Sequence, residues 1–338
     1  MVCIFGGFLG FTLGIPAGWL ICSIITGIIW GVFRGGYSFD GRPFKIALAF
    51  VAANIGLKLD PKIIFEIRFL IFPLLLTILL TITIGYFLSI LLYRNSNLDQ
   101  VTAFFCCIPG GASEIISISK EYGADERIVA AFHTVRITFF VLTIPIIIGY
   151  LNTPAVVDVI QDVAKLEMSH FYFFPIVVFL TLFLDAKLRI PGGALLFSIA
   201  ISFLLSSFVI DIALPPSYLS GIGQALIGGM VGGRFDKKVL AQLVSVGKIT
   251  IAVIGIFFVV SILMSGLFHF MTKLSFSISL IGTVPAGAAE MSATAIALDI
   301  SPSIVATLHI VRIMVIFFTL PLLIKIFKKL NKNIESVS

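Results

Sequence analysis

The sequence predicts an all-α polytopic membrane protein made of two inverted-topology repeats, each with about five transmembrane helices and one re-entrant or broken helix. Three observations predict it. Hydrophobic residues fill 59% of the 338 positions and charged ones 12%, and the mean hydropathy is +1.14. That balance excludes a soluble domain with an ordinary polar surface. A pattern also recurs at one offset of 176 residues: Pro109, Gly110, Gly111, Ala112, Ser113, Glu114 returns as Pro285, Ala286, Gly287, Ala288, Ala289, Glu290. His133 recurs as His309, Arg136 as Arg312 and Pro145 as Pro321, while Gly56, Lys58 and Asp60 meet Gly232, Arg234 and Asp236. The chain therefore reads as two copies of one unit. The third observation is loop charge, which decides how the copies sit relative to the bilayer.

A helix needs ~20 apolar residues to cross ~30 Å of hydrocarbon. In the first copy the apolar runs predict helices over 1–13, 17–33, 43–58 and 68–93, a broken segment over 98–121, and a helix over 126–150. The second copy gives 171–186, 192–209, 218–233 and 245–270, a broken segment over 275–297, and 302–327. The domains follow as 1–151 for the first membrane repeat, 152–170 for a linker carrying Asp158, Asp162 and Glu167, 171–327 for the second repeat and 328–338 for a basic tail. Residues 1–33 carry no basic residue before Arg34 and no small-residue cleavage site, so they do not read as a removable signal peptide. Residues 1–13 are short for a crossing, reaching about 20 Å.

Positive residues collect on the cytoplasmic side. With Arg136, Lys248 and Arg312 left in their spans, 20 Lys and Arg divide between the two sides, the tail lysines Lys325, Lys328, Lys329 and Lys332 being counted inside. If every segment crosses, they divide ten inside and ten outside. If the broken segments turn back, they divide 15 inside and five outside, so the re-entrant reading is preferred. Lys58, Lys62 and Arg68 remain as misfits. Five crossings per copy is an odd number, which turns the second copy over and makes the duplication an inverted repeat. Net charge +6 fits loops beside anionic lipid better than nucleic acid. Cys3, Cys22, Cys106 and Cys107 lie in apolar runs without metal-ligand spacing and read as small core residues.

The candidate site is the pair of breaks. Pro109, Gly110 and Gly111, or Pro285 and Gly287, end one half-helix, and Ser113 with Glu114, or Glu290, falls in the first turn of the next. Free amides at such a start attract an anion, and the glutamate is either that anion, as a cap, or a functional acid at membrane depth. Arg136 and Arg312 each follow their glutamate by 22 residues. They could neutralise Glu114 and Glu290 or hold a substrate carboxylate with a guanidinium fork. His133 and His309 lie one turn earlier on the same helical face and are expected to serve polar packing rather than a proton relay. Asn54 could face the site; Lys58, Asp60, Arg234 and Asp236 read as an interfacial clamp, and Asp185 and Asp211 as helix-end residues.

A Pro-Gly-Gly, small residue, Ser, Glu turn, then Gly123, Ala124 and Asp125, then a span with His, Val and Arg, all duplicated, resembles the AbrB-type integral membrane protein family. The resemblance covers essentially the whole chain. It implies a multi-pass protein of the bacterial inner membrane, with labels ranging from transporter to regulator to ammonia monooxygenase. Ala286 and Ala289 depart from the first copy, so the two hairpins need not bind the same group. The expectation is a non-enzymatic secondary transporter for a small organic solute, anionic by preference, coupled to protons or sodium, with its C-terminus in the cytoplasm. No cofactor, metal or nucleic acid is expected, and the partners are the solute or ion, the lipid bilayer and a second copy in a homodimer. A membrane regulator or scaffold is the alternative. A metalloenzyme is disfavoured because His133, His170, His269 and His309 have no ligand spacing.

Overall fold

A computed structural model describes residues 1–36, 41–59, 63–151, 167–210 and 212–335. Asp60, Lys62, Asp158, Asp162 and Asp211 lie outside the described residues. Within them the chain forms fifteen helices and no strand. The first copy contributes α1 (Val2–Thr12), α2 (Gly18–Arg34), α3 (Arg42–Leu57), α4 (Ile63–Arg94), α5 (Gln100–Cys107), α6 (Ala112–Glu121) and α7 (Glu126–Leu151). The second contributes α8 (Met168–Leu188), α9 (Gly193–Phe208), α10 (Ser217–Gly233), α11 (Lys237–Val246), α12 (Ile249–Thr272), α13 (Phe276–Thr283), α14 (Ala288–Ala297) and α15 (Pro302–Glu335). α5 and α13, and α6 and α14, start and stop at the same register 176 residues apart, so the duplication read in the sequence is a duplication of structure.

Five helical stretches are long and apolar enough to cross a bilayer: Ile67–Arg94, Glu126–Leu151, Met168–Leu188, Ile249–Thr272 and Pro302–Phe327. α2, α3, α9 and α10 have 16 or 17 residues, about 24–26 Å at 1.5 Å per residue. α1 has 11.

Three boundaries correct the sequence reading. α8 begins at Met168, so the end of the expected linker is already helical. There Glu167 and His170 cap each other's backbone across the first turn. α15 runs on through Glu335, so the basic stretch expected as a tail continues a helix. The run expected as one helix from 245 is preceded by the separate amphipathic α11, started by Asp236, which accepts from Val239 N at 2.7 Å. Gly247, at φ 91°, divides α11 from α12, whereas the counterpart α4 is continuous.

The copies interlock through their second and third helices. α10 lies on α2 and α3 lies on α9, so each third helix crosses the second helix of the other copy. Repeat-related glycines make both crossings possible. A Cβ at Gly232 would overlap Ile24 O of α2, and one at Gly56 would stand 2.5 Å from Ile199 O of α9. Helices in lipid associate by close packing and interhelical hydrogen bonds rather than by hydrophobic burial. Ser202 Oγ accordingly donates to Ala53 O at 2.7 Å across the α3–α9 crossing. Asp185, expected at a helix end, is buried and pairs with Lys45 at 2.6 Å, tying α8 to the start of α3. α4 packs on its counterpart α12. A single core cluster then joins Phe105, Ile108 and Ile115 of the first break to Val284, Ala286 and Met291 of the second.

Candidate functional site

Each break is built by the same local chemistry. Proline disfavours helix for the residue before it, and Ile108 and Val284 are extended, at ψ 130° and 137°. The chain then bends through Gly110 and through Pro285 and Ala286, where Ala286 N donates back to Val284 O at 2.8 Å, before reaching Gly111 and Gly287, the N-caps of α6 and α14. Asp99 and Ser275, one repeat apart, start α5 and α13 by accepting from the amides of Thr102 and Ile278. The result in each copy is a pair of short half-helices, one on each side of four unwound residues, held inside the protein as a membrane interior demands of irregular backbone.

The arginines do not pair with the glutamates. Among the described residues the ion pairs are Lys45–Asp185, Lys58–Asp299 and Lys120–Glu126, and neither Arg136 nor Arg312 takes part. Instead each caps the carbonyl end of the first half-helix. Arg312 Nη1 donates to Thr283 O at 3.3 Å and to Val284 O, and its Nη2 donates to Ala286 O at 2.7 Å. Arg136 Nη1 reaches Cys106 O at 3.4 Å and Ile108 O at 3.5 Å. The positive guanidinium thus meets the negative end of α13 or α5. Arg136 stands 5.5 Å over the Phe257 ring of α12.

The histidines complete the cap. His133 Nε2 lies 2.9 Å from Phe105 O and His309 Nε2 2.8 Å from Ile281 O. Their Nδ1 atoms face Arg136 at 3.2 Å and Arg312 at 2.7 Å. A guanidinium can only donate, so Nδ1 is the acceptor and Nε2 carries the proton. Both rings are therefore held neutral in one tautomer, which suits packing and not proton relay.

The glutamates sit at the other side of each gap. A Cβ at Gly111 would overlap Glu114 Oε2, and one at Gly287 would overlap Glu290 Oε2, so each carboxylate folds back over the N-cap of its own helix. Gly111 and Gly287 have φ −67° and −69°, which any residue adopts; glycine is needed for space. Each break therefore carries a negative group at its positive helix start and a positive group at its negative helix end. Ser113 begins the same turn, but its side chain lies outside the described residues.

The two sites are not equivalent in their surroundings. Glu290 is 4% exposed, and α14 packs on α2, α3 and α10. Glu114 is half-buried, and α6 lies against α5 and α7. Lys58, just past α3, pairs at 3.4 Å with Asp299 in the α14–α15 loop. The positions one repeat away are Arg234 and Gly123, which cannot make that pair.

Asn54 is not drawn into the breaks by any hydrogen bond. Its Nδ2 donates to Phe50 O at 2.9 Å and its Oδ1 accepts from Ser220 Oγ at 3.2 Å, fastening α3 to α10. Two positions escaped the sequence reading. Gly85 of α4 lets the first break pass, since a Cβ there would stand 2.8 Å from Cys107 O; a lone glycine in an apolar run gave no signal. Thr283 exchanges a 2.9 Å hydrogen bond with Ser265 of α12, and alternate small polar residues there were the only hint. The described residues contain no group of three or more His, Cys, Asp or Glu able to hold a metal.

A family model described as transition state regulatory protein AbrB matches residues 19–328. A Bacillus subtilis (strain 168) protein named "Uncharacterized protein YhjN" is 24% identical, over 94% of this chain and 88% of its own. An Escherichia coli (strain K12) protein named "Putative regulator AbrB" is 27% identical, over 93% of this chain and 90% of its own. No solved structure matches.

Proposed function

The chain belongs to the AbrB family, and on that footing we propose that it is a secondary active transporter for a small organic solute, working by alternating access. Its two halves have inverted topology, and the paired breaks line the solute path. The observation that carries this reading is the inequivalence of two equivalent sites. Glu290 and Glu114 stand at one register of a duplicated break, yet one is sealed by α2, α3 and α10 and the other is half-open. Two copies exchanging these environments would expose the path first to one side and then to the other, the mechanism that inverted repeats support. With the C-terminus in the cytoplasm of a bacterial cell, Lys58 and Asp299 lie outside, and this state is latched outside and open inside. Protons acting on the glutamates are the coupling ion, and sodium is the competitor. A homodimer would hold the interlocked α2, α3, α9 and α10 still while the breaks move.

Proteoliposomes holding a proton gradient and an internal pH dye test this. A mixture of cell metabolites added outside should collapse the gradient faster than in empty liposomes. The double variant Glu114→Gln, Glu290→Gln should lose that effect. An equal collapse in empty vesicles would sink the transport reading. The description of the family and the name of the E. coli relative favour a second reading, a membrane regulator. It expects the double variant to behave as the native protein does.

A further inference from the structure

The arginine caps and the glutamates together raise a question of substrate. The amides of Ala288, Ala289 and Glu290 at the start of α14 have no intrahelical acceptor, since the first backbone bond of the helix runs from Met291 N to Gly287 O. Among the described residues no other side chain is seen to cap them. The group lying over them is the Glu290 carboxylate, held where a Cβ at Gly287 would be. Glu290 is 4% exposed and has no ion-pair partner among the described residues. Two residues on, Ser292 Oγ is buried without a hydrogen-bond partner. The α14 start is thus an anion site whose occupant is a tethered carboxylate.

We propose that Glu290 is a built-in competitor for a solute carboxylate, so that the solute takes the start of α14 when Glu290 accepts a proton and swings away. This rests on the transport reading and names its solute class and coupling: a small carboxylate moving together with a proton. The balance is simple. One O–H bond forms on Glu290, its charge leaves the helix start, and the anionic head group of the solute replaces it on the same amides. Glu114 over Gly111 repeats the arrangement at α6, where the first backbone bond runs from Ile115 N to Gly111 O, and serves the alternate state.

The charged and titratable groups on the elements packed against α14 are few. At the end of α10, Arg234 stands 5.4 Å over the Phe44 ring of α3. On α15 and α7, His309, Arg312, His133 and Arg136 are turned to the carbonyl ends of α13 and α5, while Lys325, Arg127, Tyr150 and Glu126, the last paired with Lys120, stand toward the helix ends, as does Tyr218 on α10. α2 brings Cys22 and, at its end, Arg34; α3 brings Arg42, Lys45 and Lys58, the last two paired with Asp185 and Asp299. α13 brings none. The helix start favours the charged carboxylate and its burial favours the neutral acid, so a proton on Glu290 releases it from the helix start.

Formate, the smallest carboxylate, replaces the glutamate head group like for like and is the probe. Melting of the purified protein is followed in formate and in equal chloride from roughly pH 5 to roughly pH 8. Formate should raise the melting temperature above chloride at the acid end, and this gain should vanish as pH rises and Glu290 ionises. In Glu290→Gln the gain should persist across the range. A formate gain in the native protein that grows with pH, or is absent throughout, overturns the proposal, as does a folded Glu290→Gln protein that ignores formate. If that variant does not fold, the pH profile of the native protein and of Glu114→Gln decides. Formate binding with the expected profile but no flux in proteoliposomes would sink transport alone; flux of a neutral or cationic solute without it would sink the carboxylate site alone.

Discussion

Gly111 and Gly287 owe their identity to a neighbour, since their backbone angles suit any residue and only the folded-back glutamate forbids a Cβ. Gly287→Ala should displace the Glu290 carboxylate and lower stability by about 1–3 kcal/mol, read as a loss in thermal melting. Gly110→Ala is the contrast. Its Cβ would meet side-chain atoms alone, those of Ile115 at 2.9 Å and of Ile316 at 3.4 Å, and alanine already stands at the matching Ala286, so the expected cost is within ~1 kcal/mol. The arginine caps make a second graded pair. Lysine cannot reproduce a fork of donors, so Arg312→Lys should cost more than Arg136→Lys, because the bonds of Arg312 to Ala286 O and His309 at 2.7 Å are shorter than those of Arg136, at 3.2 to 3.5 Å. Equal losses in melting temperature would refute that ranking. The glutamates and arginines were legible as candidates because charge in an apolar run is costly. Their partners were not, because a 22-residue spacing suggests a pair and only geometry shows that each charge answers a helix end instead.

At the scale of elements, the crossings α2–α10 and α3–α9 depend on residues without bulk. Gly232→Ala would set a methyl on the Ile24 carbonyl, a backbone atom that cannot step aside, and should cost roughly 1–3 kcal/mol of stability by overpacking. Gly255 in α12 is the control. A Cβ there meets nothing within 4 Å, so Gly255→Ala should stabilise by about 0.5–1 kcal/mol through helix preference alone. Melting curves of both variants in one detergent check the pair. Helix positions were readable from apolar runs and breakers, with the two half-helix pairs falling inside the expected 98–121 and 275–297. α11 was missed because its amphipathic ten residues run into the next apolar run, and only the positive φ of Gly247 separates them. The expected end of the linker failed for the opposite reason, since Glu167 and His170 cap a helix start that hydropathy alone does not mark.

For the whole molecule the question is how two copies with one register come to stand in two environments. The Lys58–Asp299 pair has partners 38% and 88% exposed, so screening limits it to about 0–1 kcal/mol. That is enough to bias two nearly balanced states by a few-fold, not to lock them. Lys58→Glu should therefore shift the population toward the state with α14 released by a factor of about two to five. A cysteine placed at Ser117, exposed on α6, in a background cleared of the four native cysteines, should then label more slowly with a membrane-impermeant maleimide. Unchanged labelling would mean that the pair does not bear on the state.

The duplication, the membrane class and the place of both breaks were determined by the sequence alone, because proline, glycine and charge inside apolar runs have few physical excuses and the same ones appear twice. Tertiary structure decided the rest. Which carbonyls an arginine caps, which glycine a glutamate covers and which of two matched sites is sealed depend on contacts between segments far apart in the chain. Two identical registers contain no information about which of them the packing will close.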